Sequence, residues 1–362
     1  DEQGMDVLGA GLNVFGGGYG NDSEIWGNVN INLNAGYTFQ IFGGGEHGII
    51  GKRLEDQAGN VITTTDADGT YSDGTYAFNG KKYSYDRKYS CTINVKGTTE
   101  GVARNATGDN TSMAEAEFIY GGGFEGPICG NTIINLGNGR VFNTFAGSCN
   151  ADILGHTETY VGRNTSNDND LGFPYVRDHI YGGNDLGGRI MGSENFSSRL
   201  SSDLPIVPYK PNGNSGVVTT ASAYTEYVQG HIDYIFGGCY GDYNYDTEYN
   251  AYSSPRMENA FVNFKPNNHG SNSVSKIFGA GQGAPDYNLT DKNLMQNRSY
   301  LLMDIAGTDD RFANMEVFGA GQNCGVGMGV AKADADANAD GVTAAAIIDL
   351  ARGKIGAASG GS

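Results

Sequence analysis

Proline is scarce, 8 in 362 residues, which argues against collagen-like and Pro-rich linker architectures. Long apolar runs are missing as well. A membrane-crossing helix needs about 18 or more consecutive apolar residues, and no such stretch occurs, so no membrane span is expected. Positive charge is in short supply: 23 Lys and Arg face 41 Asp and Glu, for a net charge of −18. So acidic a surface repels phosphate backbones and anionic lipid heads, and nucleic acid is not an expected partner. It suits solubility outside cells and, in places, divalent cations. Cysteines are few and odd in number, and no two of Cys91, Cys129, Cys149, Cys239 and Cys324 stand at CxxC spacing. Zinc and redox motifs are therefore absent, and the thiols are expected to be buried as small hydrophobes. Helical periodicity is nearly absent. The first residues, DEQGMDV, lack both an initiator Met and a signal-peptide pattern, as a mature or trimmed chain would.

Glycine is what the chain has in excess, 58 of 362 residues, more than twice its usual share of about 7%. With 22 Tyr and 16 Phe there is ample aromatic surface to bury, which excludes disorder. The glycines cluster behind aromatics. VFGGGYG (14–20), IFGGGEHG (41–48), IYGGGFEG (119–126) and TFAGSCN (144–150) are followed by IYGGNDLGG (180–188), IFGGCYG (235–241), IFGAGQG (277–283) and VFGAGQNCG (317–325). A second half-motif precedes several of these. Ile31-x-Leu33-x-x-Gly36 leads to Phe42, Ile134-x-Leu136-x-x-Gly139 leads to Phe145, and Ile348-x-Leu350-x-x-Gly353 leads to the closing AASGGS. Ile25-Trp26-Gly27 and Ile128-Cys129-Gly130 open the corresponding units.

Recurrence within about 20–50 residues marks a stacked array. The local period is two, so the unit is built of strands. The reading is an all-β chain, a right-handed parallel β-helix in one domain over 1–362. Its Phe and Tyr positions would stack as an interior ladder, with Gly supplying positive-φ corners. A β-sandwich with Gly-rich hairpins is the alternative. Residues 342–350 read as strand. The segment 51–90 alternates and carries D-G and N-G turns, so it reads as β-hairpins inserted into the body. Residues 197–222, with Pro205, Pro208 and Pro211, read as an irregular loop.

The pairing of V-x-I-x-L-x-x-G with IFGGG-x-x-G resembles the Gly-rich repeats of large surface proteins of gut Bacteroidetes. That resemblance spans most of the chain outside the insertions. It implies a parallel β-helix displayed outside the cell, with an adhesin-like, structural or carbohydrate-binding role. The closing AASGGS resembles a repeat cut at its turn, the expectation for part of a longer protein.

Parallel β-helices also carry pectin-degrading enzymes, so a polysaccharide lyase or glycoside hydrolase is the alternative function. The hydrolase set N-x-D, D-D, G-H-G, R-x-K fails here. Asp309-Asp310 exists, but the only comparable His, in Asn268-His269-Gly270, comes earlier, and no G-H-G occurs. For a lyase, which needs carboxylates with an Arg or Lys base, Arg163, Arg177 and Arg189 lie near Asp168, Asp170, Asp178 and Asp185 in sequence. Asp336-x-Asn338-x-Asp340-Gly341 matches the opening of a Ca²⁺ loop, yet its twelfth position is Ile347, which cannot ligate. Acids on the outer face of a strand give the same string. Finally, CYGDYNYDTEYNAY (239–252) sets Tyr240, Tyr243, Tyr245, Tyr249 and Tyr252 among acids. Exposed, these rings would contact a glycan or a protein on an extracellular surface. Otherwise they pack the loop onto the body. His47 and His231 stand singly and read as structural.

Overall fold

The computed structural model describes residues 12–103, 113–163, 172–192, 222–243, 245, 248–249, 251–284, 294–306, 310–326 and 346–359. The chain is all-β, with one short 3-10 turn at Arg87–Tyr89 among these residues. Two long parallel sheets dominate. The first is nine-stranded and runs, in spatial order, Asn13–Phe15, Gly36–Phe42, Ala114–Tyr120, Gly139–Phe145, Pro174–Tyr181, His231–Phe236, Ser273–Phe278, Glu316–Phe318, Ala357–Ser359. The second runs Val29–Leu33, Cys91–Val95, Thr132–Leu136, Thr157–Val161, Ala223–Tyr227, Arg256–Phe264, Leu294–Asp304, Ala346–Arg352, with Arg189–Ile190 as an extra partner of Arg256–Phe264. From Val29 onward the chain alternates between these sheets, and spatial order follows sequence order in both.

The half-motif explains the alternation. In IxLxxG the apolar residues lie in a second-sheet strand and the Gly follows with a left-handed backbone: Gly36, φ +82°, starts a first-sheet strand, and Gly353, φ +112°, directly follows Ala346–Arg352. The way back runs through the isoleucines that open each unit. Ile25 pairs with Ile50, and Ile50, Ile128, Ile153 and Ile190 bridge one to the next in parallel, a narrow third row between the sheets.

Inside lies an aliphatic core. Ile41, Ile119, Val141, Ile180, Ile235 and Ile277 of the first sheet meet Ile93, Ile134, Leu136, Val161 and Val262 of the second. The aromatics do stack in register. Phe15, Phe42, Tyr120, Phe145, Tyr181, Phe236, Phe278 and Phe318 follow one another with centroids 4.6–5.0 Å apart and planes within 10°. Their place differs from the expected interior. Phe42 directly follows Ile41, so strand alternation turns it to the opposite face, and the rings form a separate cluster with the loops after the glycines. Each stacked pair adds about 0.5–1.5 kcal/mol beyond its buried area.

The triplet glycines also do a different job from the one expected. None of Gly43, Gly44, Gly121 and Gly122 has positive φ. A Cβ on Gly43 would strike the carbonyl oxygen of Gly121, and one on Gly121 that of Ala146. Close approach of successive backbones, not turn conformation, excludes a side chain there. The positive-φ role falls to the half-motif glycine instead.

Within 51–90, Tyr71–Ser72, Thr75–Phe78 and Lys81–Tyr83 form an antiparallel three-stranded sheet. Its tight turns are Asp73-Gly74 (φ 51° and 71°) and Asn79-Gly80 (φ 48° and 68°), both in the left-handed region that two-residue hairpins require. Two polar clamps hold it to the body. Glu24 accepts from Trp26 Nε1 (2.7 Å), Arg53 (3.2 Å), Lys81 (3.3 Å) and Tyr83 Oη (3.1 Å). Arg189 donates to Asp152 Oδ2 (2.6 Å) and to the Gly69 carbonyl (2.5 Å). Residues 342–345 lie outside the described residues. Ala346–Arg352 is a strand on Leu294–Asp304.

Candidate functional site

The Tyr-rich segment follows a glycine turn of the first sheet. Cys239 is buried at the turn, and Tyr240–Gly241 pairs in parallel with Gln282–Gly283. This pairing lays the segment over the ring stack. Tyr240 sits 5.2 Å from Tyr181 and 6.2 Å from Phe145, tilted against both. Tyr243 meets Tyr240 edge-on at 5.1 Å, and Tyr249 lies 4.7 Å from Tyr243. Tyr245 is buried, and its hydroxyl donates to the Leu186 carbonyl at 2.6 Å. Tyr252 packs half-buried on the same cluster. The structure therefore brings all of these tyrosines together, with their rings turned mainly toward each other and the stack. Tyr240, Tyr243, Tyr249 and Tyr252 keep partly exposed edges.

Beneath them lies Asp185, 5% exposed. Its Oδ1 accepts from Tyr243 Oη at 2.7 Å, and its Oδ2 from Tyr120 Oη at 3.1 Å. Burial pushes its carboxyl up to about 6, against the pull of those two donors. The same burial pushes the Tyr240 hydroxyl up to about 12. A neighbouring chain of hydrogen bonds runs from Tyr181 Oη to Gln282 Oε1 (2.7 Å) and from Gln282 Nε2 to Asp242 (3.4 Å).

Among the described residues, the acids and bases considered for a lyase do not converge. Arg163 pairs with Glu226, Arg189 with Asp152, and Arg177 stacks on the Phe142 ring at 4.6 Å. Asp185 belongs to the tyrosine cluster. Asp178 sits on a first-sheet strand, its carboxyl raised by burial. Asp168 and Asp170 lie outside the described residues, as do Asp336, Asn338 and Asp340. No metal-holding group of His, Cys, Asp and Glu occurs among the described residues. All five cysteines are buried as thiols, and burial raises the Cys239 thiol to about 12. His47 pairs with Glu125 at 3.0 Å, and His231 stacks on Tyr175 at 4.5 Å.

A buried polar network on the second sheet was not foreseen. On Thr157–Val161, Glu158 receives Tyr160 Oη at 2.7 Å and contacts His156 Nε2 at 2.7 Å. On the next strand, Glu226 receives Tyr224 Oη at 2.7 Å as well as Arg163, and Asn263 Nδ2 donates to Tyr224 Oη at 3.1 Å. His156, Glu158, Tyr224 and Glu226 are at most 2% exposed. A substrate cannot reach carboxylates so enclosed, and their partners lock them in place. The sequence signal was available in TETYV and AYTEYV, where acid and tyrosine occupy rows that hold Asn in other strands.

Comparison with known proteins finds no matching family model, no matching curated protein and no matching solved structure. No helix among the described residues is long and apolar enough to cross a membrane.

Proposed function

We propose that the alternation between the sheets winds as one right-handed parallel β-helix, and that the chain is a secreted or cell-surface scaffold and binding module without catalysis. Parallel crossovers are right-handed almost without exception, which supports the hand. The observation that carries the functional reading is the unbroken ring stack from Phe15 to Phe318 beside a continuous aliphatic core. Such a molecule invests its packing in length and stiffness, and leaves contact chemistry to what projects from it. The projecting Tyr edges over Asp185 are the contact surface of choice, because Tyr offers a large flat area at low rotamer cost. Asp242 and Glu248 at its rim disfavour acidic ligands and point to neutral glycans or a protein. Extracellular placement rests on the surface-protein resemblance and on the acidic charge.

Binding to a panel of neutral glycans, uronates and extracellular proteins tests this reading, with Tyr249→Ser as the comparison and product formation scored in parallel. Capture weakened by the substitution, without turnover, is expected. Turnover of any glycan would replace this reading with a lyase or hydrolase.

A further inference from the structure

Three threonines interrupt the aliphatic rows of the core. Along the register of the second sheet, Ile31, Ile93 and Ile134 are followed by Thr159, Thr225 and Val262. Along that of the first, Ile41 and Ile119 are followed by Thr144, and then by Ile180 and Ile235. Thr144, Thr159 and Thr225 are all 0% exposed, and the Oγ1 of each has no hydrogen-bond partner in the protein. Other buried hydroxyls of the second sheet are satisfied. Thr132 Oγ1 donates to the Ala146 carbonyl at 2.5 Å, Thr157 Oγ1 to that of Gly182 at 2.5 Å, and Ser299 Oγ to that of Gly319. Thr157 stands only two residues before Thr159 on the same strand. Two residues further in, that carbonyl is out of reach. A hydroxyl left without a partner in such a place costs free energy, and native chains rarely leave one so.

We propose that Thr159 and Thr225 form a binding site for one water molecule inside the core. This rests on the strand register and the unpaired hydroxyls, not on the binding reading. Thr159 and Thr225 are register partners on neighbouring strands. Such partners repeat at about 4.8 Å. That is beyond a direct hydroxyl–hydroxyl bond of about 2.7–2.8 Å, in keeping with neither being the other's partner. It is close to the span of two such bonds that meet at one oxygen. A hydroxyl both donates and accepts, so a single water satisfies both threonines, and buried waters make about two to four hydrogen bonds. Room comes from the same substitutions. Thr159, Thr225 and Val262 are each a methyl shorter than the Ile residues that precede them in the row. A water takes about 30 Å³ of liquid volume, comparable to one such group.

Thr144 supplies the contrast. Its register neighbours are Ile119 and Ile180, so no second hydroxyl stands one strand away. A lone hydroxyl between aliphatics offers a water one anchor, and one anchor does not hold it. The pair and the single threonine should therefore respond with opposite sign when the hydroxyl is removed.

Valine matches threonine in shape and lacks only the hydroxyl, so Thr→Val variants test the site. Thr159→Val and Thr225→Val should each raise the unfolding equilibrium constant roughly fivefold, because each takes one of two anchors from the water and leaves the other hydroxyl poorly paired. Thr159→Val/Thr225→Val removes both hydroxyls and the need for the water, and should return to within about twofold of the unaltered chain. Thr144→Val should lower the constant roughly fivefold, since it relieves an unpaired hydroxyl. If all three single variants stabilise alike, or if the double variant equals the product of its singles, the two hydroxyls act independently and the proposal falls. A high-resolution crystal structure of the unaltered chain provides a direct reading that needs no variant. An ordered oxygen within about 3.2 Å of both Thr159 Oγ1 and Thr225 Oγ1 is expected. A direct bond between the two hydroxyls, or no oxygen between them, would overturn the assignment.

Discussion

The outer flanks of the two sheets solve one problem in opposite ways. The first sheet covers its flank with a single kind of residue, ring upon ring from Phe15 to Phe318. The second covers its flank with a polar row that is Asn at Asn32, Asn94 and Asn135 and then changes at each step, to Tyr160, Glu226 and Asn263. A uniform row gains from stacking and tolerates no change of spacing. A mixed row needs each polar group to find its own partner, as Glu158 and Glu226 do. The first flank is generic and repeats in the sequence. The second is specific and does not.

The spacing of the uniform row is the most fragile feature. Gly43→Val places a side chain against the Gly121 carbonyl, where only backbone can give way. We expect a loss of about 4 kcal/mol or more, the range of severe core strain, or no folded protein, read by urea denaturation. Gly36→Ala meets no neighbour within 4 Å and suffers only from its φ of +82°, so roughly 1 kcal/mol is expected. Equal losses at the two sites would break the distinction between close approach and turn conformation.

The mixed row is next. Glu226→Ala removes the carboxylate that both Tyr224 and Arg163 meet, and removing one partner of a buried ion pair costs about 3–5 kcal/mol. Phe145→Ala in the uniform row removes a ring stacked on both faces, about 3–5 kcal/mol. The double variant sharpens the comparison. The two flanks share no contact through these residues, so the losses should add within about 0.5 kcal/mol.

These particulars also decide what could be read from the sequence. The aromatic positions, the alternation and the D-G and N-G turns of the inserted sheet were legible, because each is a local rule repeated or strongly marked. The face on which the rings lie was not. Period two gives alternation but not which side is closed, and with aliphatic Ile41 beside aromatic Phe42 both sides are apolar. The role of the triplet glycines was hidden for a related reason. Positive φ is a property of one residue, whereas close approach depends on a strand from another turn of the chain. The Glu158–Glu226 network was missed although Tyr160, His156 and Tyr224 stand two residues from the carboxylates they meet, because only the register that sets Glu158 beside Tyr224 and Tyr160 beside Glu226 joins the two strands into one network.

Asp185 is the exception on the uniform flank, a buried carboxyl with no cation among the causes that set its pKa. Its folded pKa of about 6 lies above the ordinary 3.8, so between those values the folded state binds the extra proton. Stability from this group is therefore fully present below about pH 4, falls as pH rises toward 6, and is lost above it. The swing amounts to roughly 2–3 kcal/mol. Asp185→Asn should flatten that part of the stability–pH curve and match or exceed the parent at pH 7, as followed by thermal unfolding. A parent curve already flat from pH 4 to 6.5 would return Asp185 to the well-paired class of Glu226.

The smallest effect is expected at the rim of the tyrosine cluster, where structure and binding can be separated. Tyr249 touches Tyr243 through one face at 4.7 Å and is half-buried, so Tyr249→Ser removes a single tilted contact and part of an apolar surface. About 1 kcal/mol of local stability should go, with little change in the midpoint of global unfolding. Tyr243→Phe is the counterpart. It keeps the ring but withdraws the hydroxyl from Asp185, which leaves that carboxylate with Tyr120 as its remaining hydroxyl donor. The Asp185 pKa should then rise further, and the pH at which stability is lost should move up with it. If instead Tyr249→Ser lowers the global midpoint as far as Phe145→Ala does, the loop rings are as much a part of the stack as the stack itself. The flank then offers no projecting surface to a partner, and the contact site would have to be sought on another face.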